Sequence, residues 1–300
     1  MFVVHYRAIF LSLGAVILAA ALGAILFLGL KPSIDFAGGT LLEISYTQEA
    51  PEQQVIQEKV ENLAIGSYSV RKTDADGYII RTRDLNQEEL DALTALLSIE
   101  ENAVSVDRVT TIGPTLGSEL TRKAFFALAA LSVVIVLYVA YVFRRVSKPV
   151  PSIFYGFIVV LALLHDIIIP TGFVAIMGHF FGVEVDALFV VALLAILGYS
   201  VNDTIVVFDR IRENLAINTE RNVKEAFDIV VGKSLKQTYM RSINTSVTTA
   251  LALLALFFLG AAVTENFALT LLVGVVAGTY SSIFLAAPLL VFVQKKFFRK

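Results

Sequence analysis

Long apolar runs dominate the chain, and one extended polar stretch interrupts them. Six runs of about 20 largely apolar residues are each long enough to cross a bilayer as a helix. Residues 31–123 separate the first run from the second, whereas the last five runs follow one another closely. The pattern therefore predicts a six-helix transmembrane bundle with one domain inserted after the first helix. The runs occupy residues 8–30, 124–143, 153–177, 187–208, 243–263 and 267–293.

The inserted stretch, 31–123, has the alternation of a small α+β domain. One helix is expected to begin near Pro51, which suits a first helical position. Asn86 is expected to cap a second helix, because Glu89 follows three residues later. The predicted order β-α-β-β-α-β is that of a ferredoxin-like unit. The strands are expected at residues 41–47, 67–72, 78–83 and 104–112.

The predicted organisation has four parts. In the stretch that follows the fourth run, charges of both signs fit either a helix on the membrane surface or a solvated loop. The parts are a first transmembrane helix at 1–30, an extracytoplasmic domain at 31–123, a five-helix bundle at 124–293 that contains a cytoplasmic loop at 209–241, and a basic tail at 294–300.

Composition supports a membrane protein and excludes some chemistry. Of the 300 residues, 57% are hydrophobic and 17% are charged, whereas soluble domains carry about 25% charged residues. A formal net charge of −2 gives no reason to expect nucleic-acid binding. The chain has no cysteine, so disulfides and thiolate metal sites are excluded. The first run is longer than a signal-peptide core of about 7–15 residues, which favours a retained anchor.

Basic residues predict the orientation in the membrane. Lysines and arginines follow the second, fourth and sixth runs, whereas the short loops 178–186 and 264–266 contain none. Because cytoplasmic loops are enriched in Lys and Arg, both termini are expected in the cytoplasm and the inserted domain outside. The basic residues are Arg144, Arg145, Lys148, Arg210, Arg212, Arg221, Lys224, Lys233, Lys236, Arg241, Lys295, Lys296, Arg299 and Lys300.

The first candidate for chemistry is Asp203, the one charged residue in the run 187–208. A carboxylate near the bilayer centre costs about 2.5–3.5 kcal/mol on insertion scales, and such residues commonly serve function. We therefore interpret Asp203 as a group that gains and loses a proton, with a structural hydrogen-bond acceptor as the alternative. Asn202 either orients this carboxylate or packs beside it.

Arg241 begins the fifth run and is the candidate partner of Asp203. Each charge would otherwise lack a partner in hydrocarbon, which favours pairing. Thr245 lies four residues later and is expected on the same helical face. The alternative is a snorkelling arginine that precedes a helix interface of small polar residues.

His165 and Asp166 form a further candidate pair near the middle of the third run. They are either a mutually satisfied packed pair or a second step in a proton path. Pro170 nearby would free backbone carbonyls in this helix. No nucleotide-binding G-x-x-x-x-G-K-[ST] and no metalloprotease H-E-x-x-H is present, and Gly38-Gly39 indicates a turn. No cofactor and no metal is therefore predicted.

Three ordered motifs resemble the SecF family, the smaller membrane subunit of the SecD–SecF protein-export accessory complex. They are IDFAGGT at residues 34–40, GYSVNDTIVVFDRIREN at 198–214 and RSINTSVTT at 241–249. The resemblance covers essentially the whole chain. It implies half of a resistance-nodulation-division transporter fold and a function in protein translocation, with no enzymatic activity.

The resemblance also implies partners and site residues. The expected partners are SecD, the SecYEG channel, the SecA motor, YidC and the translocating preprotein, in the lipid of the bacterial cytoplasmic membrane. The family's proton-path aspartate and arginine correspond to Asp203 and Arg241, and a polar neighbour corresponds to Thr245. A further aspartate is expected from SecD. Proton and sodium coupling both remain open, because carboxylate, hydroxyl and amide oxygens suit either ion.

Three other functions remain open on the residues alone. One is half of a proton-driven small-molecule efflux transporter, although such pumps usually carry two large outer domains. Another is an intramembrane aspartyl protease that uses Asp203 with Asp166 or Asp209, although GYSVND lacks the typical GxGD motif. The third is a passive scaffold that only binds the channel.

Overall fold

In a computed structural model, residues 2–298 are described except for 64, 67, 74–75, 99–101 and 144–149, together with the side chain of Ala262. The chain divides into two compact units, Met1–Lys31 with Phe126–Lys300, and Pro32–Phe125. We call the first the membrane unit and the second the inserted domain. Several basic residues used for the orientation, namely Arg144, Arg145, Lys148, Arg299 and Lys300, lie outside the described residues.

The secondary structure follows the predicted order of elements. The elements are α1 Phe2–His5, α2 Arg7–Leu28, α3 Ile34–Ala37, β1 Gly39–Tyr46, α4 Gln53–Asn62, β2 Ser69–Lys72, β3 Gly77–Thr82, α5 Gln87–Leu97, β4 Val104–Ile112, α6 Pro114–Val142, α7 Ser152–Phe181, α8 Ala187–Glu220, α9 Phe227–Leu259, α10 Ala262–Tyr280, a π-helical segment Ser281–Ala286, and α11 Ala287–Phe297.

The inserted domain is built on a four-stranded antiparallel sheet in the order β2-β3-β1-β4. This order, together with β-α-β-β-α-β connectivity, confirms the predicted ferredoxin-like unit. Leu42 of β1 lies opposite Ile80 of β3 and Val109 of β4. Alternate residues of β1 and β3 point toward the helices, because successive side chains of a strand face opposite sides. The domain core consists of Leu42, Ile44, Tyr46, Ala50, Ile56, Val60, Ile65, Val70, Tyr78, Ile80, Leu85, Leu93 and Leu97.

Helix α5 begins at the capping box that the sequence predicts. The Asn86 side chain accepts from the Glu89 backbone N–H at 2.9 Å, and the Glu89 carboxylate accepts from the Asn86 N–H at 3.0 Å. Arg83 holds the same carboxylate at 2.5 Å. Farther along α5, Leu97 accepts a hydrogen bond from the Tyr46 hydroxyl through its carbonyl. Burial is the main cause that raises the pKa of Tyr46 to about 12.

Helix α4 begins later than expected, at Gln53 rather than near Pro51. Glu52 is its N-cap residue and has an extended backbone, so Pro51 lies outside the helix. The Pro51 carbonyl accepts a hydrogen bond from the buried Tyr78 hydroxyl. Pro51 therefore contacts β3 from outside the helix and does not occupy the first turn of α4.

The glycine pair before β1 forms the predicted turn. Gly38 has φ +77° and donates its N–H to the Ile34 carbonyl at 2.9 Å, which closes α3. At Gly39, with φ +136°, a Cβ would lie 2.4 Å from the Thr82 carbonyl oxygen. Both positions therefore need glycine, one to end α3 and one to let β1 approach β3.

The membrane unit contains the six predicted spans. The final span runs continuously through α10, the π-helical segment and α11. In the part of the chain that the structure describes, six helices are long and apolar enough to cross a bilayer, which confirms the membrane-bundle prediction. Their bounds are Arg7–Leu28, Pro114–Val142, Ser152–Phe181, Ala187–Glu220, Phe227–Leu259 and Val263–Phe297.

The sequence leaves residues 209–239 open between a surface helix and a solvated loop; the structure makes most of them helical, and their cytoplasmic location stays a prediction. Helix α8 continues to Glu220 and α9 begins at Phe227, so residues 221–226 connect two long helices. Polar side chains join the helices beyond their apolar parts. The Asn214 amide donates to Ser234 Oγ at 2.8 Å and to Gln237 Oε1 at 2.9 Å. These bonds stabilise the helical extensions of α8 and α9, which the mixed charges alone did not indicate.

Candidate functional site

Asp203 lies on the inward face of α8, with 4% of its surface exposed. Ser200, three residues earlier, and Val207, four residues later, are also buried and share that face. The Asp203 Oδ2 atom is buried and makes no hydrogen bond to any described residue. A buried carboxylate oxygen without a donor is costly, which makes this atom a candidate for binding a proton or an ion.

Helix α9 supplies the polar neighbours of Asp203. Ser242 and Arg241 both act on the carboxylate through their side chains. Ser242 Oγ is buried and, like Asp203 Oδ2, completes no hydrogen bond among the described residues. Among the described residues no ion pair joins Arg241 to Asp203; the exposed Arg241 side chain acts on the carboxylate as a more distant charge.

The other residues predicted beside Asp203 are only partly brought together. The hydroxyl of Thr245 donates to the Arg241 backbone carbonyl at 2.9 Å, so it bonds within α9. Asn202 adjoins Asp203 along α8 but is exposed. On α9, Arg241, Asn244 and Thr248 are exposed as well. A span with an exposed polar face requires a polar neighbour in the bilayer, because lipid cannot satisfy these groups.

Asp166 on α7 is fully buried and makes three side-chain hydrogen bonds. His165 contacts Oδ1 through Nδ1 at 2.8 Å. Ser281 Oγ donates to Oδ2 at 2.7 Å, and Ser200 Oγ donates to the same oxygen. With the imidazole proton on Nδ1, all three groups donate to the carboxylate, which then acts only as an acceptor. Asp166 thereby joins α7 to α8 and to the π-helical segment.

His165 extends this cluster toward the first span. Its ring stacks on Tyr280 with centroids 6.0 Å apart. The Tyr280 hydroxyl donates to the Phe10 carbonyl of α2 at 2.6 Å. His165 is 1% exposed, and its Nε2 has no hydrogen-bond partner among the described residues. The pair is thus packed as the first alternative required, yet one ring nitrogen is left unsatisfied.

Ser200 is the link between the two buried carboxylates. It donates to Asp166 and lies one helical turn from Asp203 on the same face of α8. Helix α10 approaches closely here, because a Cβ on Gly278 would lie 3.0 Å from the Ser200 Cβ. The structure therefore places Asp203 one helical turn from a serine that bonds Asp166.

Sequence reasoning missed the serines that organise this region. Ser200, Ser242 and Ser281 are small polar residues in otherwise apolar spans, a composition that also marks ordinary helix packing. Their spacing does contain a signal, since Ser200 precedes Asp203 by three residues and Ser242 follows Arg241. The contact of Ser281 with Asp166, 115 residues away, has no local signature.

The fold and this polar region define a multi-pass membrane protein with an inserted ferredoxin-like domain and buried ionisable groups. A model of the C-terminal part of the protein export membrane proteins SecD/SecF matches residues 92–296, and a model of the SecD/SecF GG motif matches residues 23–50. The chain therefore belongs to the SecD/SecF family of protein-export membrane proteins. This is a family of accessory membrane proteins rather than enzymes.

Individual relatives match over nearly the full length. The protein translocase subunit SecF of Thermobaculum terrenum is 38% identical, with 99% of this chain and 95% of the relative covered. SecF of Sebaldella termitidis is 35% identical, with 89% of this chain and 83% of the relative covered. These relatives bear out the resemblance of the three motifs to SecF.

A solved structure has the same fold. The crystal structure of SecDF from Thermus thermophilus, described as a translocon-associated membrane protein, superposes with a TM-score of 0.84 at 30% identity. The match covers 98% of this chain but only 38% of the SecDF chain. This chain therefore corresponds to a part of that protein, with a fold related to resistance-nodulation-division transporters.

Proposed function

We propose that this chain is the smaller half of a SecD–SecF complex that uses the proton-motive force to promote preprotein translocation across the bacterial cytoplasmic membrane. The names of its relatives support a translocase subunit. Its match to 38% of a SecDF chain supports a companion half, which we identify with a SecD protein. SecYEG, SecA and YidC are the further proposed partners, with both termini on the cytoplasmic side.

The observation that carries this proposal is the buried Asp203 with its unsatisfied Oδ2, next to a span that exposes polar residues. Transporter sites often lie where two related halves meet. We therefore assign the exposed residues Arg241, Asn244 and Thr248 to the surface that faces SecD. A carboxylate from SecD would complete the site beside Arg241, with Asn202 and Thr245 as polar neighbours.

Coupling would arise from the charge on Asp203. When Asp203 is ionised, Arg241 attracts it, and this attraction adds to the hydrogen bonds that join α8 to α9. Protonation removes the attraction and leaves Asp203 neutral, which lets the helices separate. A proton that crosses 100 mV releases about 2.3 kcal/mol, enough to bias two helix arrangements substantially. The His165–Asp166 pair would be a second step on the same path.

The inserted domain would transmit this change to the preprotein. With the proposed orientation, residues 31–123 lie on the outer side, where the emerging chain leaves the channel. Movement of α8 and α9 relative to SecD would then shift this domain relative to its SecD counterpart. The domain is thus assigned the contact with preprotein, and the membrane unit the use of the ion gradient.

The test is preprotein translocation into vesicles that contain SecYEG, SecA, SecD and this chain, with and without an imposed proton gradient. Asp203→Asn is expected to abolish the stimulation by the gradient, because an amide cannot take up a proton. The matched control is Asp209→Asn, on the same helix, where the carboxylate is exposed and bonds Arg212 at 2.5 Å. This control is expected to retain the stimulation.

Two results would contradict the proposal. Full stimulation in the Asp203→Asn complex would exclude Asp203 as the coupling group and leave a passive scaffold. Stimulation by a sodium gradient in place of a proton gradient would retain the site but replace the ion.

A further inference from the structure

The hydrogen bonds of Asp166 are shared unequally between its two carboxylate oxygens. Two serines, one on α8 and one on the π-helical segment, both donate to a single oxygen, Oδ2. On the other side of the carboxylate, Oδ1 lies 2.8 Å from His165 Nδ1. With both serines donating to Oδ2, that oxygen acts only as an acceptor, which suits an ionised carboxylate, although the Ser281 hydroxyl has a second acceptor in the Gly278 carbonyl at 3.1 Å.

The second observation is an atom of the cluster that can bind a proton, His165 Nε2. His165 Nε2 is buried and has no partner among the described residues, although its ring is fixed by stacking on Tyr280. With the ring proton on Nδ1, Nε2 carries a lone pair. A proton that binds Nε2 can be balanced by transfer of the Nδ1 proton to Asp166 Oδ1. The imidazole then remains neutral with its proton on Nε2, and the carboxylate becomes a neutral acid.

The third observation concerns the π-helical segment, which Asp166 contacts through Ser281. The segment Ser281–Ala286 is π-helical, an uncommon geometry that is often found at functional sites. Ser281, its first residue, bonds Asp166, whereas the adjacent Ser282 bonds only the Thr279 carbonyl of its own helix. Asp166 thus adds a side-chain hydrogen bond to the apolar packing between this segment and helix α7.

We propose that Asp166, with His165, Ser200 and Ser281, forms a second proton-binding site that fixes the π-helical segment when ionised and releases it when protonated. Hydrogen bonds to an ionised group are about twice as strong as neutral ones, so a neutral Asp166 holds Ser281 less firmly. If the proton resides on Oδ2 instead, this oxygen donates to one serine, whose own hydroxyl proton must then turn to another acceptor; for Ser281 that acceptor is the Gly278 carbonyl. Release lets the segment relax toward α-helix, which rotates α11 by about 100° per residue of register.

The other ionisable groups around Asp166 are few in the described structure. His165 lies on its own helix, Tyr280 of α10 stacks on that histidine, and Asp203 lies one turn from Ser200 on α8. Arg241 of α9 acts on Asp203. Helix α2 contributes no charged residue between Arg7 and its end at Leu28. The proposal rests on the proposed function only in taking the coupling ion to be a proton.

The experiment measures the position of α11 relative to α7 by distance spectroscopy between two spin labels. The chain contains no cysteine, so cysteines introduced at two exposed positions are labelled without background. Ile153 near the start of α7 and Phe292 of α11 are exposed and lie before and after the cluster. The labelled chain is reconstituted with SecD and measured from about pH 8 to about pH 5, the range in which histidine-linked groups change charge.

The wild-type pair is expected to show two distances that differ by several ångström and whose populations change with pH. Asp166→Asn and Ser281→Ala are each expected to abolish that pH dependence. Ser282→Ala, the matched control in the same segment, is expected to keep it. Since Asp166→Asn removes a buried carboxylate and can impair insertion, Ser281→Ala provides the test by itself if that variant is not recovered.

The outcomes separate this inference from the proposed function. A distance that does not vary with pH in wild type, or that varies equally in Ser281→Ala, overturns the proposal that ionised Asp166 fixes the π-helical segment. Asp203→Asn is expected to lose the gradient-stimulated translocation while it keeps the pH-dependent distance change. If Asp203→Asn keeps the gradient-stimulated translocation, the proposed function of Asp203 is contradicted. If Asp203→Asn loses the pH-dependent distance change, Asp166 is not an independent site.

Discussion

The inserted domain has charged groups at its surface, whereas the membrane unit has charged groups in its interior. In the domain, apolar side chains fill the interior, and the bonded pair Arg83–Glu89 lies at the surface. In the membrane unit, the outward surface carries Phe126, Val133 and Leu137, whereas Asp166 and Asp203 lie inside. The difference follows from the solvent, since water accepts charges and lipid does not.

This contrast also separates the sources of stability. The domain is stabilised mainly by removing apolar surface from water. Between spans, lipid is as apolar as the side chains, so packing and interhelical hydrogen bonds contribute more. Ser246 illustrates this, because it shares a hydrogen bond of 2.5 Å with Thr279 of α10 and accepts one from Tyr199 of α8 at 3.2 Å.

The largest expected effect is loss of a core side chain in the inserted domain. Leu93 of α5 is fully buried in the domain core. Leu93→Ala is expected to lower the free energy of unfolding of the domain by about 2–5 kcal/mol, through lost burial and the cavity left behind. Hydrogen exchange of the α5 amides in the full chain measures this. Val55→Ala, at an exposed site on α4, is the control, and equal effects at the two sites would contradict a core centred on Leu93.

The second effect tests the contrast directly with one substitution at two exposed valines. Val134 of α6 is 60% exposed in the membrane unit, and Val55 of α4 is 40% exposed in the domain. Val134→Asp is expected to cost about 2.5–3.5 kcal/mol for insertion of its span. Val55→Asp is expected to change stability by about 0.5 kcal/mol or less.

A glycosylation-site insertion assay on the α6 span measures the first value, and hydrogen exchange of α4 the second. If Val134→Asp inserts as well as wild type, then this face of α6 does not contact lipid. Such a result would place Val134 against a protein partner instead.

Sequence predicted the domain well where the signals are local. Asn86 and Glu89 are three residues apart, and together they define the start of α5 without any tertiary contact. Six spans were likewise predictable, because length and apolarity suffice in a bilayer. The start of α4 was misplaced because the Tyr78 hydroxyl, a distant residue, holds Pro51 outside the helix.

The candidate site was predictable only in its charged residues. Asp203 and Asp166 stand out in apolar runs, but the partners of Asp166 come from 34 and 115 residues away. The π-helical segment has no sequence pattern comparable to a cap or a turn. The long helices within 209–239 were not predictable for a related reason, since Asn214 and Ser234 join α8 to α9 by contacts between helices.

A smaller effect is expected from the cap of α5. Asn86→Ala removes the side-chain acceptor for the Glu89 N–H and is expected to cost about 1 kcal/mol of domain stability. Hydrogen exchange in the first turn of α5 measures this. Asn86→Asp restores an acceptor and is the control, so a loss of the same size in both variants would show that the cap bond is not responsible.

The smallest expected effect is a pH dependence confined to the inserted domain. The hydrogen bond from Arg83 is the main cause that holds the pKa of Glu89 below its ordinary value, and the Asn86 N–H adds to it. Because the folded state lowers this pKa, the carboxylate stabilises α5 at pH values above the ordinary pKa. That contribution is lost as pH falls through the lowered pKa. Glu89→Gln keeps a capping side chain but cannot titrate. Its α5 amides, corrected for intrinsic exchange, are expected to show less acid sensitivity than those of wild type, and an unchanged sensitivity would assign the effect to another carboxylate.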